Sequence, residues 1–198
     1  MTSEVDLITR LLQVINDDIV PLTAAGVAEG NKLFGAAILD KRDLSVVIAE
    51  TNNEIDNPLW HGEVHALKKF YELPRSERPS TSDCLFLATH EPCSLCLSAI
   101  TWTGFDNFWF LFSHTDSRDS FAIPHDLRIL QEVFGVAPGG YARSNAYWSA
   151  HAITEELAAL PPAQAAPLQA QVSALRQTYD QLSSDYQASK AENDIPLA

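Results

Sequence analysis

The sequence is poor in positive charge. Its 198 residues include 13 Lys and Arg against 26 Asp and Glu, which gives a formal net charge of −13 at pH 7. The basic clusters are no larger than Lys68-Lys69 or Lys41-Arg42. Because proteins bind nucleic acids largely by neutralising phosphates with Lys and Arg, this balance argues against tRNA or DNA as a partner and favours a small molecule.

Long hydrophobic runs are also missing. The chain has no stretch of eighteen apolar residues, so we expect no membrane-spanning segment. The segment Met1-Thr2-Ser3-Glu4 lacks the positive charge and the apolar run of a secretory signal. Only three cysteines are present, and two of them, Cys93 and Cys96, are spaced C-x-x-C. That usage indicates a reducing compartment and a metal instead of a disulfide framework. We therefore expect a cytoplasmic protein.

Two short motifs carry the chemistry of the sequence. The first is His61-Gly62-Glu63, and the second, about thirty residues later, is Pro92-Cys93-Ser94-Leu95-Cys96. A catalytic zinc site takes three protein ligands and leaves the fourth position for water, and His61, Cys93 and Cys96 form such a set. Glu63, two residues after His61, is then expected to stand beside the metal without being a ligand.

Other interpretations of these motifs are weaker. A C-x-x-C alone is compatible with a redox pair or half of a structural zinc site, but the sequence has no second C-x-x-C, and His90 is the nearest candidate for a fourth ligand. The pair His61 and His65 has the spacing of H-x-x-x-H, but the zinc proteases place glutamate directly after the first histidine. Gly62 occupies that position here, which excludes that arrangement.

The two motifs resemble those of the cytidine deaminase superfamily, in the branch of guanine deaminase, cytosine deaminase and the tRNA adenosine deaminases. The resemblance runs over residues 34–125. It implies that His61, Cys93 and Cys96 hold Zn²⁺ and that Glu63 moves protons. It also implies a substrate-binding asparagine in the loop 50–60, either Asn52 or Asn53, although the distance to His61 is about two residues shorter than in relatives. His114 and Asp119, after the fourth strand, are further substrate-binding candidates.

The resemblance implies hydrolytic deamination of a small amino-substituted heterocycle, a free nucleobase or a nucleoside, by a homodimer or larger homo-oligomer. It does not choose between guanine and cytosine. Two alternatives remain open: a tRNA or RNA adenosine deaminase, which the charge disfavours, and a zinc-folded interaction module without catalytic activity.

The expected fold is a three-layer α/β/α sandwich with a central mixed sheet. Apolar periodicity predicts helices over 4–20, 61–71 and 124–134, and another that begins at Pro92; β-branched and aromatic runs predict strands over 33–39, 44–49, 84–89 and 107–112. A turn is expected over 24–31 and a polar loop over 113–121. We expect a deaminase domain over 1–150 and a helical extension over 151–198. In that extension, apolar residues spaced by three and four from Leu168 to Tyr186 predict a helix that docks on its own domain or on a partner subunit.

Overall fold

A mixed five-stranded sheet forms the centre of the computed structural model, which describes residues 3–137 and 140–197. The strands are β1 (Gly35–Asp40), β2 (Val46–Thr51), β3 (Cys84–His90), β4 (Asn107–Phe112) and β5 (Ser149–Ala152). The α-helices are α1 (Glu4–Val14), α2 (Val20–Ala28), α3 (Gly62–Glu72), α4 (Ser94–Thr103), α5 (His114–Asp119), α6 (His125–Phe134), α7 (Ile153–Ala159) and α8 (Pro162–Ser189). A π-helical turn at Ile15–Ile19 joins α1 to α2.

The strands lie in the order β2-β1-β3-β4-β5. β1 is antiparallel to both β2 and β3, whereas β4 is parallel to both β3 and β5. The predicted mixed sheet is therefore confirmed. The parallel half brings the carboxyl ends of β3 and β4 to one edge of the sheet, which is the edge where ligands bind in open α/β folds.

Alternating side chains of the strands build two separate cores. In β3, Leu85 and Leu87 pack with the helices α1, α2 and α8, while Phe86 and Ala88 pack with α3 and α4 on the opposite face. Every residue of β3 is buried, as expected for a strand covered by helices on both sides. The three-layer α/β/α arrangement expected from the sequence is confirmed.

The N-terminal helical segment extends further than the sequence suggested. Ser3 caps α1 by accepting a hydrogen bond from the backbone N–H of Asp6. The expected turn over 24–31 is instead helical as far as Ala28. By length and composition Glu4–Ala28 is apolar enough to cross a membrane, with a window of mean hydropathy 1.2, but 44 % of that window is buried inside the protein. Its apolar stripe is part of the core, as in a helix of a globular domain.

Two further elements were not expected. The polar segment 113–121 contains α5, which Ser113 and Asp116 cap reciprocally. The strand β5 spans residues 149–152, so the predicted division after residue 150 falls inside a strand of the central sheet. That division stays a prediction.

The C-terminal helix α8 docks on its own chain. It begins at Pro162, six residues before the first apolar position of the predicted pattern, Leu168, and contacts α1, α2 and α7. The apolar positions of the predicted seam are mostly buried against these helices: Leu168, Leu175, Tyr179, Leu182 and Tyr186. Of the two alternatives for this seam, the structure shows packing on the protein's own domain.

Candidate metal centre and active site

The first motif lies where α3 begins. His61 has an extended backbone, with φ −61° and ψ 156°, and precedes the first helical residue, Gly62. Gly62 sits directly against the start of β1, because a Cβ atom built on it would lie 2.7 Å from the Cα of Gly35. The absence of a side chain at Gly62 thus lets the N-terminus of α3 approach the sheet, and His61 comes with it.

The second motif opens α4 in the same way. Cys93 is the residue that precedes the helix, and Cys96 lies in its first turn. The spacing of three residues places both sulfur atoms on one side of the helix, with 3.6 Å between the two Sγ atoms. The N-termini of α3 and α4 meet at this point, and the positive ends of their dipoles favour negatively charged thiolates.

The three donor atoms have the spacing of a tetrahedral zinc site. His61 Nδ1 lies 3.4 Å from Cys93 Sγ and 3.7 Å from Cys96 Sγ. Zinc binds sulfur at about 2.3 Å and nitrogen at about 2.0–2.1 Å, so tetrahedral angles put ligand atoms about 3.6–3.8 Å apart. The observed spacings match, and two thiolates with one imidazole are donors that zinc prefers. These residues fit a zinc ion, with Nδ1 as the nitrogen ligand.

The electrostatics of this cluster also favour a cation. The hydrogen bond between the Cys93 and Cys96 sulfur atoms holds the pKa of Cys93 well below its usual range. Burial, together with the neighbouring Cys93 thiolate, raises the pKa of Cys96 well above its usual range. Burial opposes a positive charge on His61, but its hydrogen bond to Cys93 and the negative charges of Cys93, Glu63 and Glu54 together outweigh that effect, and the pKa of His61 rises to about 9. The protons shared by these groups are those that zinc displaces when it binds.

Glu63 lies beside the ligand atoms. Its side chain is buried, and Oε2 is 3.3 Å from Cys96 Sγ. Burial raises the pKa of Glu63 to about 7, and the nearby Cys93 thiolate acts in the same direction. A carboxyl group with a pKa near neutrality can both accept and donate a proton under physiological conditions.

A cleft of about 370 Å³ leads to the cluster. Its walls are mostly apolar, and besides the ligand residues His61 and Cys93 five polar or charged groups stand among them: Lys32, Glu54, Ser94, His125 and Asp126. Phe34 and Asp126 line both the cleft and the narrow cavity that contains Glu63 and the three ligands. Burial, followed by repulsion from the Cys93 thiolate, raises the pKa of Asp126 well above its usual range.

The sequence missed Asp126, Lys32 and Glu54. Asp126 lies in the predicted helix 124–134 but belongs to neither motif. Lys32 and Glu54 lie in connecting segments, and no local pattern marks them. The only signal in the sequence was that Asp126 is an acidic residue in the first turn of α6. Ordinary helix starts show the same feature, so it did not mark a functional residue.

The four predicted substrate-binding residues lie at different distances from the cleft. Asn52 is buried next to the ligands: its Oδ1 accepts a hydrogen bond from the Gly62 N–H, and its Nδ2 donates to Glu54. Asn53 is half-buried and donates to Asp56. Neither asparagine lines the described cavities.

His114 and Asp119 differ from each other in burial and in the contacts that they make. His114 is buried, with its Nε2 3.1 Å from the carbonyl oxygen of Pro92, so it supports the segment that carries Cys93. Asp119 is exposed and pairs with Arg118. Neither lines the described cavities, and for all four residues a role in substrate binding stays a prediction.

Fold and site together define a class. The chain is a zinc-binding α/β protein whose metal ligands come from the N-termini of two adjacent helices, with a buried acid next to them. The model of the cytidine and deoxycytidylate deaminase zinc-binding region matches residues 19–112. That segment is similar to the zinc-binding region of the cytidine and deoxycytidylate deaminases, and the three donor residues within it fit zinc.

Three individual proteins are similar to this chain over different parts of its length. Guanine deaminase of Bacillus subtilis (strain 168) is 30 % identical over 105 residues, which are 51 % of this chain and 64 % of that relative, so the match spans less than two thirds of the relative's length. A solved mutant protein in complex with 8-azaguanine is 15 % identical, with a TM-score of 0.50 over 94 % of this chain and 85 % of that one. That likeness shows a shared fold. The solved guanine deaminase of Bacillus subtilis is 25 % identical, with a TM-score of 0.46 over 68 % of this chain and 98 % of that one.

Proposed function

We propose that the protein is a hydrolytic deaminase of a small amino-substituted heterocycle and that guanine is its most favoured substrate. The observation that carries this proposal is the position of Glu63. A buried carboxyl group, 3.3 Å from the sulfur of a zinc ligand and with a pKa of about 7, lies at the inner end of an open cleft. A zinc site that only stabilised the fold would be closed by a fourth protein ligand.

The reaction replaces an exocyclic amino group by oxygen. Bound zinc supplies a Lewis acid that brings the pKa of water to about 7. Glu63 takes a proton from the attacking water and passes it to the ring nitrogen beside the carbon under attack. Glu63 then takes the second proton from the hydroxyl group that the water has become and gives it to the departing amino group, so that the heterocycle and one water become the carbonyl product and ammonia. A carboxyl group does this best when its pKa is close to the pH of the reaction.

Asp126 and Phe34 are proposed to orient the substrate. Both line the cavity that holds Glu63. Asp126 approaches from α6, on a different wall from the α3 and α4 residues. Its carboxylate can accept hydrogen bonds from the N–H groups of a purine or pyrimidine ring, and the flat ring of Phe34 provides an apolar surface for the same ring system.

Guanine is favoured over cytosine by the curated relative, whose name is guanine deaminase. The fold neighbour with a bound purine analogue, 8-azaguanine, is compatible with this choice. The cleft of about 370 Å³ lies in the size range of small-molecule sites, and it can hold a purine base.

The test is ammonia release by the zinc-loaded protein from guanine, cytosine, adenine, their nucleosides, pterins and triazines. A Glu63→Gln variant is run in parallel. We expect release from guanine by the wild-type protein and no release by the variant, with zinc content equal in both. Release from another compound would replace guanine as the substrate. Equal activity of the variant would overturn the role of Glu63, and inactivity of the wild-type protein on the whole panel would favour the zinc-folded module.

Three further expectations belong to this proposal. A homodimer is supported by the outward face of α4, where Trp102 is 90 % exposed and offers an apolar surface for a second copy of the chain. Light scattering tests it, and we expect the wild-type protein to be dimeric and Trp102→Glu to be monomeric. The net charge of −13 supports a substrate that is not a nucleic acid, and a gel-shift assay with tRNA tests that. A cytoplasmic location stays a prediction from cysteine usage and composition.

A further inference from the structure

A buried ion pair lies on the cleft wall outside the two motifs. Lys32 Nζ donates to Glu54 Oε1 at 2.8 Å, and the side chains are only 7 % and 2 % exposed. Lys32 immediately precedes the buried segment that leads into β1, and Glu54 lies in the loop between β2 and α3. Burying two charges costs free energy that their attraction repays only with good geometry and further hydrogen bonds. A pair of this kind at the edge of a metal site therefore requires an explanation.

The remaining contacts of Glu54 all lead to the start of α3. Its Oε2 accepts a hydrogen bond from Asn52 Nδ2 at 2.8 Å. Asn52 in turn accepts from the backbone N–H of Gly62, the residue after the zinc ligand. Glu54 also approaches the zinc ligand His61 directly, because Glu54 Oε1 lies 3.8 Å from His61 Nε2. Glu54 thus faces His61 through space and holds Gly62 through Asn52.

His61 can bind zinc through Nδ1 only in one neutral form. Nδ1 is the nitrogen that faces Cys93 and Cys96, so it must carry the lone pair, and the proton must then reside on Nε2. The group that faces Nε2 is the Glu54 carboxylate. A carboxylate beside the outer nitrogen of a metal-bound histidine fixes the tautomer and the ring orientation and strengthens the nitrogen as a ligand.

We infer that Glu54, paired with Lys32 at 2.8 Å, is a positioning residue that keeps His61 in the tautomer and orientation in which it binds zinc. Lys32 supplies the counter-charge that a buried carboxylate needs. The inference rests on the zinc site that the proposed deaminase uses, but it concerns retention of the metal and is independent of the substrate.

The experiment measures zinc affinity, not turnover. Zinc-free wild-type protein and the variants Glu54→Gln, Lys32→Met and Lys32→Met/Glu54→Gln compete for zinc with a chromophoric chelator. Gln has the shape of Glu and can still accept the Asn52 hydrogen bond, so Glu54→Gln removes the charge and keeps the loop. We expect Glu54→Gln and the double variant to bind zinc 10–100-fold more weakly, the usual effect of losing such a partner.

Two controls separate positioning from general destabilisation. Asp40→Asn removes the acid of another ion pair, with Arg42, at the far end of β1, and its zinc affinity should stay within twofold of wild type. The double variant has no unpaired buried charge and should fold even where Glu54→Gln does not. In zinc-loaded protein with ¹⁵N-labelled histidine, NMR should show a proton on His61 Nε2 in wild type and a weaker, exchange-broadened signal in the double variant.

One result overturns the inference: a folded double variant that binds zinc within twofold of wild type with an unchanged His61 spectrum. Because no substrate is present, this outcome differs from a failure of the proposed function. A protein that deaminates none of the tested heterocycles can still show the loss of zinc affinity, and an active deaminase can still lack it.

Discussion

Gly62 and Gly35 touch backbone to backbone where α3 meets β1. A Cβ atom on Gly62 would lie 2.7 Å from Gly35 Cα and 2.9 Å from the carbonyl oxygen of Phe34. Both are main-chain atoms of the buried segment that leads into β1, so neither can move away by rotation of a side chain. The residue between the zinc histidine and the proposed proton carrier therefore sets the distance between helix and sheet.

We predict that Gly62→Ala weakens zinc binding and lowers the free energy of unfolding by about 1–3 kcal/mol, the usual cost of overpacking. Alanine is the better helix former by about 1 kcal/mol, so any net loss comes from the contact with β1. Urea unfolding and zinc content measure both effects. The control is Gly26→Ala in α2, where the new methyl would meet the Thr51 side chain at 3.1 Å, a contact that small shifts relieve. Equal stability of the two variants would contradict the prediction.

The cysteines separate metal binding from packing. Cys84 and Cys96 are both fully buried, but only Cys96 belongs to the ligand cluster. We predict that Cys96→Ala loses the bound zinc and that chelation no longer changes its melting temperature. Cys84→Ala should keep one zinc per chain and the chelator-dependent fall in melting temperature. Metal analysis and thermal unfolding with and without chelator measure this, and a Cys96→Ala protein with full zinc occupancy would contradict the ligand assignment.

Two acids of the segment after β4, Asp119 and Asp126, should behave differently. Asp126 lines the cavity of Glu63, whereas Asp119 is exposed and paired with Arg118. We predict that Asp126→Asn lowers kcat/KM for the deaminated heterocycle at least tenfold, because the carboxyl group that faces the substrate ring is lost, with zinc content unchanged. Asp119→Asn should stay within twofold of wild type. Steady-state kinetics on the substrate found by ammonia release decide this. A larger loss at Asp119 would restore it as a substrate-binding residue.

The ligand cluster could be predicted from the sequence because its chemistry imposes local spacing. Two cysteines three residues apart at a helix start must share one face, and zinc limits the partners to a few residue types. The structure accordingly brings His61 together with Cys93 and Cys96. The central sheet was predictable for a similar reason, since buried strands such as β4 consist of continuous apolar runs.

The rest of the cleft depends on tertiary arrangement. Lys32, Glu54 and Asp126 come from three segments that the strand order β2-β1-β3-β4 and the helix connections bring together, and single residues in loops carry no periodicity. The strand β5 has only four residues, Ser149–Ala152, with small and polar side chains, so its pairing with β4 decides its conformation. For α5 a signal was present: Ser113 and Asp116 have the spacing of a capping box.

A buried histidine next to the metal site provides a test by pH. The His90 ring lies within about 5 Å of four aromatic rings, with centroid distances of 4.6 Å to Phe34, 5.0 Å to Phe112, 5.0 Å to Phe121 and 5.3 Å to Tyr179. Burial in this apolar surrounding lowers the pKa of His90 to about 3. An unfolded chain binds a proton at histidine with a pKa of about 6.5.

Between these two values the unfolded state holds a proton on His90 that the folded state does not hold. The stability contributed by neutral His90 is therefore fully present above pH ~6.5 and is lost as the pH falls towards 3. At pH 5 the loss amounts to about 2 kcal/mol, since one pKa unit corresponds to about 1.4 kcal/mol. A His90→Phe variant keeps an aromatic ring in the cluster and has no such proton to bind.

We predict that the free energy of unfolding of His90→Phe, measured relative to that of wild type, increases by about 2 kcal/mol between pH 7 and pH 5. The variant therefore becomes the relatively more stable protein as the pH falls. Urea unfolding of both proteins in zinc-free form, with a thiol reductant, measures this difference without a contribution from zinc release. His151→Gln, which removes a partly exposed histidine paired with Glu156, controls for the loss of a histidine elsewhere. Parallel pH curves for wild type and His90→Phe would mean that His90 is solvated and protonated in the folded protein, and the apolar wall that it forms beside the zinc site would then be open to water.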